Sequence, residues 1–283
     1  MTIPVKPHYL LYGIETVPET ELADEWRKSD EFEKDRAFQK CAEGEEPFPP
    51  LACHKVISIG VMLLDSKLHV VRSGVLAGGS VEGDERLAVE KWNQLAVESN
   101  PNGQPLSIVD WNGKKFDAPV LQYRSFRYGI PMSWFFGKLP DNHGKISQWS
   151  KAYRDRYSGK HIDLVEYWTN HGAFRKCHLK DLAQLMGLPG KVGIDGTKVY
   201  EAWKQERHQE IDDYCLEDVW HTGFVMMRMF FLTGKLTREE YVAAAELLLT
   251  HVTKSSGHKD ATEGEGHKAF VEAINEDRLL LKS

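Results

Sequence analysis

Between Tyr9 and Tyr128 the apolar runs come in an order that few architectures accommodate: a strand, two strands in succession, a helix, a strand and a helix. Residues 8–17 are rich in Leu, Ile, Tyr and Val and read as a buried strand ended by Pro18, whose ring cannot donate to a ladder. "KVISIGVMLLD" (55–65) and "LHVVRSGVLA" (68–77) are two further strands, and with only Ser66 and Lys67 between them they predict a hairpin. Residues 84–98 set Leu87, Ala88, Trp92 and Leu95 at helical spacing. "PLSIVDWNG" (105–113) is a strand closed by Asn-Gly, and Phe116 to Tyr128 is the helix after it. A mixed sheet with helices packed on it satisfies that order, so the fold class is α/β.

The remaining segments decorate this frame. "ETELADEWRKSDEFEKDRAF" (19–38) predicts one charged helix, followed by the Pro-rich loop "EEPFPPL". Residues 140–160 are polar and predict a surface loop, and "HIDLVEYW" (161–168) suits either a short strand or a helix start. From His178 the chain is helical, including "EIDDYCLEDVWHTGFVMMRMFFLTG" and "TREEYVAAAELLLTHV". A Gly/Ser/charge-rich stretch (253–268) is expected to be mobile, ahead of a last helix. The division predicted is a main domain over 1–250, with a linker and C-terminal helix over 251–283.

Composition narrows the function classes. At 41% hydrophobic residues, a 283-residue chain can fill an ordinary core. No stretch approaches the ~18 consecutive apolar residues of a membrane span, and "MTIPVKPHYLLYG" has no basic region followed by an apolar one, which predicts a cytoplasmic protein with no membrane partner. Cys41, Cys53, Cys177 and Cys215 contain no Cys-x-x-Cys pair, so free buried thiols are expected rather than disulfides or zinc. The formal net charge is −6, yet it is unevenly spread. Residues 1–50 hold 6 Lys/Arg against 12 Asp/Glu, whereas Trp111 to Lys180 hold 13 against 5. That basic segment suits local contact with a polyanion, although solvated helix faces would give the same count.

Three short patterns on three elements carry candidate chemistry. In "YGIET", Glu15 lies two residues after Gly13, so strand alternation turns both positions to one face. In "VDWNGKKFDAPV", Asp117 opens a helix after a strand and an Asn-Gly turn, where open sheets place ligands and where an acid also suits the helix dipole. In "DYCLED", Tyr214 and Asp218 stand one turn apart on one helical face. Each alone is more often an ordinary edge, cap or packing residue. Together they meet one demand: two-ion phosphodiester hydrolysis needs several carboxylates around divalent ions about 4 Å apart. Hard oxygen ligands choose Mg2+ or Mn2+, and a tyrosine beside the acid can orient the attacking water.

The ordered set "GIE", "NGKKFD" and "YCLED" resembles the 3′–5′ exonucleases of the DEDDy type, more closely the bacterial proteins related to the proofreading domain of family B DNA polymerases. The resemblance runs from about Tyr9 to Gly234 and takes in "PPLACHKVISIGVM", "HIDLVEYW", "LMGLPGKVGIDGTKVY" and "IDDYCLEDVWHTGFV". It implies a ribonuclease H-like fold, with a helical C-terminal portion here. It also implies that Glu15, Asp117 and Asp218 are ligands of two Mg2+ or Mn2+ ions and that Tyr214 positions the nucleophilic water. Asn112, Phe116 and Lys114 would then lie beside the 3′ end being cut. The substrate implied is a single-stranded DNA or RNA 3′ end, or a short oligonucleotide.

Gly13 departs from that pattern, because the family carries an Asp there that bridges both ions. A chain with glycine at this place is expected to be impaired or inactive as a nuclease while keeping its fold and its oligonucleotide groove. Either an active enzyme has lost its acid or a protein of this line binds without cutting. Retention of Glu15, Asp117, Tyr214 and Asp218 favours the first, and Asp110, Asp163 and Asp195 are candidate substitutes. The competing class is a non-catalytic binding module. In it, the basic segment and aromatics such as Trp111, Tyr123, Phe126, Tyr128 and Trp149 clamp a single strand. No phosphate loop, nucleophile elbow or His-Glu-x-x-His is present, and His161 is expected to be structural or on the substrate side.

Overall fold

The computed structural model describes residues 7–42, 44–76, 84–98, 106–141, 143–190, 194–255 and 265–282. Strands β1 (Tyr9–Pro18), β2 (His54–Leu64), β3 (Val70–Val75), β4 (Ser107–Asp110) and β5 (His161–Asp163) form one sheet in the order β3-β2-β1-β4-β5. β2 runs antiparallel to both β1 and β3, whereas β4 and β5 run parallel to β1. An antiparallel meander continued by two parallel strands that return through helices is the ribonuclease H-like arrangement.

The helices before β5 are α1 (Thr20–Arg27), α2 (Asp30–Gln39), α3 (Glu85–Glu98), α4 (Asp117–Tyr128) and α5 (Ser133–Phe136). After it come α6 (Leu164–Trp168), α7 (Leu179–Leu185), α8 (Val199–Lys204), α9 (His208–Leu232), α10 (Arg238–Ser255), α11 (Glu265–Glu272) and α12 (Glu276–Leu279). Alternation along β1 divides the core in two. Leu10, Tyr12 and Ile14 join Ile59, Val61 and Ile108 under α3 and α4, against Trp92, Val120 and Leu121. Leu11, Met62, Leu64 and Val109 face α9 and α10 instead, against Trp220, Phe224, Tyr241 and Leu248. Phe270 of α11 and Leu279 of α12 pack into this second cluster.

The registers refine the sequence reading. Pro18 belongs to β1, at its last pair with His54. The hairpin turn spans 65–69 rather than two residues, because the Asp65 carboxylate accepts the Lys67 and His69 N–H groups and draws those residues into the turn. The helix expected over 19–38 breaks at Ser29, whose hydroxyl and N–H both return to the Trp26 carbonyl. Residues 161–168 are both alternatives in sequence, three residues of strand and then α6, because Asp163 caps the helix by accepting from the Val165 and Glu166 N–H groups. Cys53 and Cys215 are buried thiols, but Cys41 and Cys177 are only partly covered. Most of the stretch 253–268 lies outside the described residues.

α9 approaches the first two strands closely. A Cβ built at Gly60 would stand 2.9 Å from the Cys215 carbonyl oxygen, tighter than real side chains tolerate. Glycine therefore lets α9 sit at this height, and the Gly60 N–H donates to the Cys215 Sγ across the gap (3.2 Å). One turn earlier, Ser58 Oγ donates to Asp212 Oδ1 at 2.6 Å. Gly13, paired with Gly60 in the ladder, differs: its added Cβ would meet only Val219 Cγ2, at an ordinary 3.6 Å. Gly60→Ala is thus expected to lose about 1–3 kcal/mol of stability by overpacking, whereas Gly13→Ala is neutral or gains up to roughly 1 kcal/mol. Urea unfolding of the two variants side by side reads this contrast.

Candidate active site

The carboxyl ends of β1 and β4 carry the candidate residues. β1 pairs with β4 only from Tyr9 to Leu11, so beyond that point the two strands part. Asp117, the first residue of α4, enters the gap, and its Oδ1 accepts the Ile14 N–H at 3.1 Å. The carboxylate thus stands where a fourth ladder partner would, against the backbone between Gly13 and Glu15. Because Gly13 would turn a Cβ toward Val219, position 13 faces α9, and the period of two turns Glu15 to that side as well.

On α9, Tyr214 is 6% exposed and Asp218 is partly exposed. Burial first, then the charges of Asp218 and Glu15, push the Tyr214 phenol far above the ordinary tyrosine range. The phenol therefore remains protonated at any working pH and can orient a neighbour by hydrogen bonding, but cannot act as a base. His221, one turn on, brings Nδ1 to 3.8 Å from Asp218 Oδ1. Tyr214, Asp218 and Glu15 share one electrostatic neighbourhood, whereas the charges acting on Asp117 are those of Asp110 and Asp163.

The turn before Asp117 is held by acids that the sequence suggested as substitutes. Asp110 is fully buried; its Oδ2 bonds His161 Nε2 at 2.6 Å, and its Oδ1 accepts the Gly113 N–H at 3.1 Å. A Cβ at Gly113 would overlap Asp110, and Asn112 adopts a left-handed φ of 66°, which explains the Asn-Gly pair. Asp163 accepts four backbone N–H groups, from Asn112, Lys114, Val165 and Glu166, and so fastens the turn to β5 and α6. Asp195 accepts from Thr197 in the turn ahead of α8. Asp110 and Asp163 are committed to the loop rather than turned to position 13. This clamp was not recognised from sequence; its only signal was the place of "VD" and "HID" at the ends of adjacent parallel strands.

Two of the three predicted substrate-side residues diverge in direction. Phe116 joins an aromatic group with His54 (5.1 Å) and Phe48 (5.8 Å), next to Thr16, whose Oγ1 is 2.9 Å from His54 Nδ1. Lys114 instead reaches toward β5, donating to the Arg156 carbonyl at 2.7 Å and to Glu166 Oε2 at 3.0 Å.

Hard carboxylate oxygens are the right donor chemistry for Mg2+ or Mn2+. The residues present nevertheless do not make the two-ion cradle: among the described residues no three His, Cys, Asp or Glu side chains converge to hold a metal ion. Position 13 carries no side chain and has room for one.

Crowding of carboxyls has a stability consequence. Burial first, then the charge of Asp110, holds Asp117 well above the usual carboxylate range. The folded state therefore keeps a proton that the unfolded chain loses above about pH 4, and stability falls as pH rises from there toward the folded value. Asp117→Asn, which retains the acceptor for Ile14, is expected to raise the melting temperature at pH 8 by roughly a few degrees, the gain shrinking to nothing near pH 4. Thermal melts of both proteins across that range check the sign.

Residues 46–273 match the family described as a predicted 3′–5′ exonuclease related to the exonuclease domain of PolB. The matched segment begins after β1, so Gly13 and Glu15 lie outside it. Among solved structures, the family B DNA polymerase of the hyperthermophilic archaeon Pyrobaculum calidifontis is similar at 18% identity and a TM-score of 0.48, over 91% of this chain and 30% of that one. The chain thus spans less than a third of the polymerase. No curated protein matches. No helix among the described residues is long and apolar enough to cross a membrane.

Proposed function

Because the chain belongs to the family of predicted 3′–5′ exonucleases related to the exonuclease domain of PolB, we propose that it carries a DEDDy-type exonuclease site for single-stranded 3′ ends, acting in the cytoplasm and disabled at Gly13. The observation that carries this reading is Gly13 itself, a glycine that the packing does not require, two residues before Glu15 on the face of β1 turned to α9, with Asp117 bonded to the N–H of the next residue. At Gly60 the backbone of α9 excludes a side chain, so that glycine is structural. Gly13 has ordinary space beside it, and what it lacks is a carboxylate.

In the active form, Mg2+ or Mn2+ held by these acids would supply a Lewis acid for phosphodiester hydrolysis. The chain's own contributions are more limited. Asp117 is fixed by the Ile14 N–H and stays put without a ligand. Tyr214, neutral and one turn from Asp218, aligns a water by donating or accepting one hydrogen bond. The aromatic group of Phe48, His54 and Phe116 offers faces on which a terminal base can stack.

The test is 3′-end shortening of 5′-labelled single-stranded DNA and RNA in Mn2+ and in Mg2+. Gly13→Asp is expected to shorten the strands one nucleotide at a time, while the parent chain does so at least ~100-fold more slowly. Adding Asp218→Asn to the Gly13→Asp protein should return it to the parent level, and adding Tyr214→Phe should cost roughly 10- to 100-fold. If Gly13→Asp leaves both strands intact in both metals, the exonuclease reading is wrong.

A further inference from the structure

β5 is the last strand of the sheet, and beside it lie two adjoining cavities of about 500 and 270 Å3 whose walls share Lys114, Arg156, His161 and Glu166. Five cations line them together, Lys114, Lys115, Arg154, Arg156 and Lys235, against two carboxylates, Asp163 and Glu166. Both acids are already engaged. Asp163 accepts four backbone N–H groups, and Glu166 lies 3.0 Å from Lys114 Nζ and 3.8 Å from His171 Nδ1. Lys115 and Arg154 are exposed and make no ion pair among the described residues. The field in the groove is therefore positive, although the whole chain carries −6.

Aromatic rings accompany these cations. Arg154 stands over Phe136 at 4.6 Å, Arg156 over Tyr157 at 5.6 Å and Lys235 over Tyr167 at 5.0 Å. Tyr157, 61% exposed, and Tyr167 line the second cavity, and Phe136 is 42% exposed. Cations for phosphates beside rings for bases is the chemistry of a path for a single nucleic-acid strand; an acidic peptide would use the charges but not the rings. The groove's inner end is formed by Lys114, Lys115 and Ala118, on the turn and first helical turn that carry Asp117.

We infer that this groove along β5 holds the phosphodiester backbone of a single-stranded DNA or RNA, a few nucleotides from the end presented at Gly13, and that it does so without a divalent ion. The nuclease reading enters only in saying where the strand leads. Its charge and rings are independent of position 13, so binding survives where cutting is lost.

Fluorescence anisotropy with 5′-labelled oligo(dT) and oligo(rU) of about a dozen nucleotides, in EDTA, tests this. The parent chain should bind at least one of the two, about 10- to 20-fold more weakly at 200 mM than at 50 mM salt, the fall expected for about three phosphates. Lys115→Glu with Arg154→Glu should weaken binding at least ~10-fold, the double Gln variant should fall between, and Arg72→Glu, on β3 at the opposite edge of the sheet, should bind like the parent. Circular dichroism of each variant checks that it is folded. Unchanged affinity in the folded double Glu variant, or no binding by the parent in EDTA, overturns the inference. The two readings fail separately. Strand shortening by Gly13→Asp with groove variants that bind normally would leave the nuclease and remove the groove; lost binding in the groove variants with no shortening by Gly13→Asp would do the reverse.

Discussion

The seating of α9 against Gly60 sets the geometry of everything around it. A helix ordinarily stands off a sheet by the thickness of its side chains, but here the Cys215 backbone comes within contact of a strand position that has none. The Gly60 N–H to Cys215 Sγ bond and the Ser58 to Asp212 bond then fix both the rotation and the height of the helix. With that face turned to the sheet, the residues following Asp212 are set in phase: Tyr214 and Asp218 come level with Glu15 at the end of β1. A shift of one residue along α9 would rotate them by about 100° and separate the candidate residues. The large apolar side chains of the same helix, Trp220 and Phe224 among them, supply the burial that maintains this contact.

A second constraint acts on the other side of the gap between β1 and β4. Asp110, Asp117 and Asp163 are gathered at the ends of two short strands, where each ionised carboxyl disfavours the others, and burial holds both Asp117 and Asp163 above the usual carboxylate range. Backbone N–H groups and His161 offset part of that cost. What the crowding accomplishes is to fasten the turn before Asp117 to the ends of β4 and β5. Position 13, beside the N–H that Asp117 accepts, carries no side chain although one has room.

Charge is separated across the molecule as well. The exposed acidic helices α1 and α2 lie in the first fifty residues, while four cations of 111–180, Lys114, Lys115, Arg154 and Arg156, line the cavities beside β5. Lys114 connects the two regions in sequence, since its backbone N–H is held by Asp163 beside the candidate site while its side chain reaches into the basic groove. In the proposed groove, a polyanion drawn by the long-range field would lie near the turn that leads to Asp117.

Much of this was legible in the chain itself. The order of strands and helices required a mixed sheet with two covered faces, because uninterrupted apolar runs such as 55–65 have no stable place at a surface. The i, i+2 spacing in β1 and the i, i+4 spacing of Tyr214 and Asp218 follow from strand and helix periods alone, so which of these side chains share a face was readable as well. Local competition was less visible: the Asp65 turn, the break at Ser29 and the cap at Asp163 depend on which nearby N–H a side chain finds first. Tertiary structure alone decided that Gly60 is compelled and Gly13 is not, and that Asp110 and Asp163 hold a loop rather than replace a missing acid. Composition and period report what each residue prefers; whether there is room for a Cβ, and which distant N–H a carboxylate reaches, depends on elements some two hundred residues apart in sequence meeting in space.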